Sequence, residues 1–101
     1  ALDWALPAVE LDRRILAYTP APGCWCRREG DKLGVLEAEA RPEIGGEAGS
    51  LIPGKRGELL VACGEGALSL LRVKPAGQGA MAAADYLNGR PFAPGAGLER
   101  G

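Results

Sequence analysis

Histidine is absent from this chain of 101 residues, and that absence removes the commonest catalytic relays before any motif is considered. A Ser/His/Asp or Cys/His arrangement cannot be assembled, so a general base near neutral pH would have to be a carboxylate or lysine with a strongly displaced pKa. No stretch gathers acidic residues for that purpose. In "EGDKLGVLEAEARPE" period-two alternation puts Glu37 and Glu39 on one solvated strand face, a surface pattern rather than a catalytic carboxylate pair. Catalysis within the chain is not expected. Cysteine is scarce too: Cys24, Cys26 and Cys63 are odd in number, keep no metal-ligand spacing and, without histidine, leave a zinc site short of its fourth ligand. They read as reduced, structural thiols.

An excess of one charge is also missing. Lys and Arg number 12 against 13 Asp and Glu, a net charge of −1, so a polyanion partner gains no support from bulk charge and must rest on local clustering. No apolar run approaches membrane-spanning length. The opening "ALDWALPAVELDRR" is acidic and broken by Pro7, unlike the basic head and continuous apolar stretch of a signal peptide. The chain therefore reads as cytoplasmic, monomeric and without a membrane partner. Its first residue, Ala1 rather than Met, reads as a cut fragment or a processed chain.

What is present fits one domain of ordinary size with a thin core. A helix is expected over residues 7–18: Pro7 suits the first helical position, Glu10 the first turn, and Ala8, Leu11, Ile15 and Tyr18 form one apolar stripe. Trp4 and Tyr18 are expected to pack that helix onto the rest. "TPAPG" then forces a turn, because Pro20 lacks an amide hydrogen and pushes Thr19 toward extended geometry. "CWCRRE", Gly30 and Asp31, and "KLGVLEAEAR" make a hairpin. "SLIPGKRGELLVACGEGALSLLRVK" supplies a short strand, a Pro-Gly turn and two strands joined at Glu65 and Gly66. Gly64 and Gly66 flank that hairpin rather than cradle a phosphate, since no lysine-bearing helix follows. In "ALSLLRV" the alternation Leu68, Leu70 slips to Leu71, Val73, which predicts a β-bulge. The expected fold is mainly β, an OB-like barrel of five short strands with an N-terminal helix and a short C-terminal helix ended by Asn88 and Gly89. Residues 1–89 make the domain, and 90–101 read as a frayed tail.

The ordered pieces "LDW", "ELDRRI", the Pro-x-Pro-Gly at 20–23, "KLGVLEA", "AGSLI", "LLVACGEGALSLLRVKPAG" and "AADYLNG" resemble the C-terminal domain of methionyl-tRNA formyltransferase. The resemblance covers residues 2–89. It implies an OB-like barrel closed by the strand through Val73, with Gly77 and Gly79 turning the backbone and Met81, Ala84 and Leu87 pinning the last helix. It implies a division of labour as well. An N-terminal Rossmann-like domain moves a formyl group from 10-formyltetrahydrofolate to methionyl-tRNA, while this segment, binding no cofactor itself, holds the acceptor arm of the initiator tRNA. The alternative is a scaffold domain of another formyltransferase, acting on sugar nucleotides or folate, without RNA binding.

Phosphate contact calls for Arg and Lys grouped on one surface. Arg27, Arg28 and Lys32 flank one hairpin turn and are the first candidates. Arg13 and Arg14, off the helix's apolar stripe, and Arg72 and Lys74, near the closing strand, are the second. Trp25 reads as a core residue at a strand start, with base stacking as the alternative. Two positions depart from the resemblance: Leu16 stands where relatives carry Arg, and "QGA" at 78–80 where lysines follow Pro-Ala-Gly.

Overall fold

The computed structural model describes residues 2–18, 23–52, 58–92 and 96–99, so the expected turns at 19–22 and 53–57 lie outside the described residues. Helix α1 (Ala8–Tyr18) is followed by strands β1 (Cys24–Arg28), β2 (Asp31–Arg41), β3 (Leu51–Ile52), β4 (Leu59–Ala62), β5 (Ala67–Pro75) and β6 (Met81–Ala82), then helix α2 (Ala83–Gly89). All strand pairs are antiparallel, in the order β1-β2-β5-β4-β3, with β6 on β5. The sheet curls into a half-barrel, mainly β as expected.

The concave face holds the core. Cys24, Cys26, Leu33, Val35, Leu59, Val61, Leu68, Leu70 and Val73 are buried there with Ala8, Leu11 and Ile15 of α1. The α1 stripe stops at Ile15. Leu16, Ala17 and Tyr18 are all exposed, Tyr18 by 48%, because the last turn projects beyond the core. Trp4, by contrast, is buried as expected. On α2 the anchors are Ala83 and Tyr86; Met81 lies in β6, and Ala84 and Leu87 are only partly buried.

Turn chemistry sets the first hairpin. Glu29 and Gly30 both take positive φ, 51° and 86°, the two-residue turn whose twist matches right-handed strands. Where β2 meets β5 the register slips on either side of the Glu37–Arg72 pair, and Leu71 and Arg72 are exposed in succession. This is the expected irregularity. It bends the two longest strands and so helps the sheet curl.

The segment after 89 is not wholly frayed. Leu98 is buried, and residues 96–99 pair with both outer edges of the sheet: Glu99 exchanges two backbone hydrogen bonds with Arg27 of β1, while Leu98 N–H donates to the Gly49 carbonyl and Leu51 N–H of β3 donates to the Ala96 carbonyl. Four residues thus span the gap between β1 and β3. The physical reason is that unpaired edge groups need partners, and a short extended segment supplies them. The N-terminal segment adds Leu2 N–H to the Trp25 carbonyl and crosses the β4–β5 connection, where Gly64 N–H donates to the Leu6 carbonyl. A Cβ on Gly64 would lie 1.9 Å from the Ala5 carbonyl oxygen, so this crossing requires glycine. Among the described residues no helix is long and apolar enough to cross a membrane.

Candidate functional site

Alternation along β1 sorts the first candidate residues onto two faces. Cys24, Cys26 and Arg28 face the core, and Trp25 and Arg27 face outward. Arg28 is consequently not a surface cation. It is only 6% exposed, and its guanidinium donates to the Tyr86 hydroxyl at 3.2 Å and to the carbonyls of Arg90 and Pro91 at 2.8 and 2.9 Å, with Phe92 stacked 3.5 Å away. These carbonyls lie just past the C-terminal end of α2, where the helix dipole favours a positive charge. The expected grouping of Arg28 with Arg27 and Lys32 therefore fails for a geometric reason.

The outward face gathers other residues. Register pairs Arg27 with Lys32, Trp25 with Gly34, and Gly34 with Lys74, so one step along the strands crosses β1, β2 and β5. Residues directly opposite each other point to the same face. Arg27 and Lys32 both lie over the half-buried Trp25 ring, at 5.2 and 4.9 Å from its centre. Trp25 is thus a surface aromatic held by two cations rather than a core residue. Arg27 also donates to the Gly30 carbonyl at 3.0 Å, which fixes it over the turn. Neither Arg27, Lys32 nor Lys74 has an ion-pair partner among the described residues. Arg72 shares the face of Lys74 but stands opposite Glu37. Beyond it come Glu37 and Glu39, both exposed, so the outer face changes sign along its length. The cationic end is the turn end.

The remaining candidates lie elsewhere. Arg14 is paired with Glu10 one helical turn away, at 3.1 Å, and Arg13 is exposed on α1. A cleft of about 500 Å³ opens beside Lys32, between the first hairpin, the loop after Pro75 and α2. Its wall carries Asp31 and Asp85 as well as Lys32 and Arg90, and Arg90 is held by Glu29 and Asp31, so it offers no clear charge selection. Among the described residues no group of three His, Cys, Asp or Glu could hold a metal ion. The three thiols are buried and free, and burial pushes Cys26 up to about 12 and Cys63 up to about 11, so neither is a nucleophile at neutral pH.

The comparisons with known proteins agree with this architecture. The formyl transferase C-terminal domain profile matches residues 1–91. The methionyl-tRNA formyltransferase of Myxococcus xanthus is 47% identical over 94 residues, covering 93% of this chain and 30% of that protein. That of Jannaschia sp. is 41% identical over 98 residues, covering 97% of this chain and 31% of that protein. The chain thus spans about 30% of the length of these relatives. HypX from Aquifex aeolicus, solved in complex with tetrahydrofolic acid, superposes with a TM-score of 0.70 at 17% identity, over 85% of this chain and 16% of that one. At that identity the likeness concerns the fold. A profile match over nine-tenths of the chain, with relatives above 40% identity, carries the conclusion that the chain belongs to the formyl transferase C-terminal domain family.

Proposed function

We propose that this domain is the non-catalytic, tRNA-holding part of a methionyl-tRNA formyltransferase. In this reading an N-terminal Rossmann-like domain transfers the formyl group from 10-formyltetrahydrofolate, and this domain holds the acceptor arm of initiator methionyl-tRNA so that the charged amine reaches it. The observation that carries the reading is the set of cations without an ion-pair partner among the described residues, Arg27, Lys32 and Lys74, on one outward face at the turn end of β1, β2 and β5. A curved strand face that carries cations can track a phosphate backbone. The names of the relatives supply the substrate class.

Each phosphate contact releases counterions, so binding should weaken with salt, and removing a contact should lower the slope by about one. With so few cations and a net charge of −1, the isolated domain is expected to bind tRNA with a Kd of roughly 10⁻⁴ to 10⁻⁶ M. Arg27→Glu combined with Lys32→Glu should weaken this by at least about tenfold and flatten the salt dependence, whereas Arg13→Glu should do little. A salt titration of tRNA affinity for the three proteins decides it. If the Arg13 variant loses more than the hairpin variant, the RNA-facing surface is α1; salt-independent binding by the parent removes the reading.

A further inference from the structure

The outward face has a feature that phosphate contact does not use. Trp25 lies on the same cross-strand line as Gly34 and Lys74, and the middle position has no side chain. A Cβ placed on Gly34 would meet only the Lys74 carbonyl oxygen at 3.3 Å and the Lys74 Cβ at 3.5 Å, so the indole does not lean over the glycine. A notch is left, floored by Gly34, with Trp25 on one side and Lys74 on the other. Arg27 and Lys32 belong to the next cross-strand pair toward the turn. They steady the indole from that direction. A buried anchor would have its ring in the core, yet Trp25 is only partly buried and absent from the core cluster.

We infer that the Trp25–Gly34–Lys74 notch is a stacking site for one unpaired nucleobase, with Lys74, Arg27 and Lys32 placed for the phosphates on either side of it. This rests on the RNA-binding reading and narrows it, because a paired base inside a duplex cannot present its face to a side chain while a single strand can. An aromatic ring beside a flat, side-chain-free floor suits a planar heterocycle without selecting its sequence. Cations at the rim provide the salt-dependent part.

The test uses the whole chain with two RNA probes, a single-stranded oligo(A) octamer and a hairpin duplex of matched phosphate number. Emission of Trp25 is read as the difference between the parent and Trp25→Phe, which retains Trp4. The octamer should quench that emission saturably. Trp25→Ala should weaken octamer binding about 10- to 100-fold while changing duplex binding less than about twofold, and Trp25→Phe should restore most of the loss. Circular dichroism melting of each variant guards against misfolding. Loss of affinity for both probes alike, or no change for either, overturns the stacking site and leaves phosphate binding standing. Failure of the parent to bind either RNA in a salt-dependent way overturns the RNA reading and the stacking site with it.

Discussion

Arg27 and Arg28 are neighbours in sequence with opposite environments, and the difference comes from strand geometry alone. Period-two alternation in "CWCRR" that sends Cys24 and Cys26 into the core sends Arg28 with them and turns Trp25 and Arg27 outward. That phase was legible from the sequence. What obscured it was residue type, since a buried arginine and an exposed tryptophan both run against average preference. The partners that make burial tolerable, Tyr86 and the carbonyls of Arg90 and Pro91, lie about sixty residues away and leave no local mark. A buried guanidinium with three acceptors leaves those acceptors stranded when it is removed. Arg28→Ala is therefore expected to cost about 3 kcal/mol of folding stability, with Arg27→Ala within about 0.5 kcal/mol of the parent. Urea unfolding of the two variants checks the contrast. Equal losses would mean that the Arg28 contacts with the α2 terminus contribute little.

At the level of elements, the helix, both hairpins and the β5 irregularity follow from patterns that repeat over several residues. The closing segment does not. Residues 96–99 contribute one buried side chain, Leu98, and the Glu99 carboxylate, which accepts from the Gly30 N–H at 3.0 Å, and otherwise act through backbone groups, which carry no sequence signal. The close approach is visible only in retrospect through Gly97, where a Cβ would stand 2.8 Å from the Gly49 carbonyl oxygen. The segments at 2–6 and 96–99 thus both bond to the outer edge of β1, Leu2 at Trp25 and Glu99 at Arg27. If this segment is a structural stave, Leu98→Ala should destabilise the protein by about 2–3 kcal/mol, as for other buried leucines. Amide exchange separates local from global loosening. Glu99, Arg27, Leu98 and Leu51 amides bond across the segment and should exchange faster in the variant by more than Val61, which lies in the central ladder. Equal acceleration at all five positions would show that the stave opens only when the whole domain does.

The whole molecule is small, and its core draws on every element, so its thiols report on global opening. Cys24 and Cys26 lie on β1 and Cys63 just after β4, all buried and unpaired. Desolvation disfavours the thiolate, raising Cys24 and lifting Cys26 to about 12 and Cys63 to about 11 from an ordinary 9.0. Below about pH 8 the thiols are protonated both folded and unfolded, and their contribution to stability is fully present. Above about pH 9 the unfolded chain releases their protons while the folded chain holds them, so stability falls as pH rises toward the folded values. For Cys26 alone the loss near pH 11 is on the order of 3 kcal/mol. The difference between parent and Cys26→Ala isolates the thiol: the variant is less stable near neutral pH because a buried atom is gone, but the gap should narrow between about pH 9 and 11. Urea unfolding across that range measures it. A gap that stays constant would show that Cys26 ionises as readily inside the fold as outside it. Thiol labelling at neutral pH provides a second view, because a reagent that needs the thiolate should modify the three cysteines only through opening of the domain. Labelling should then quicken in the Leu98→Ala and Arg28→Ala proteins in proportion to their lost stability, tying the residue and element effects to one cooperative unit.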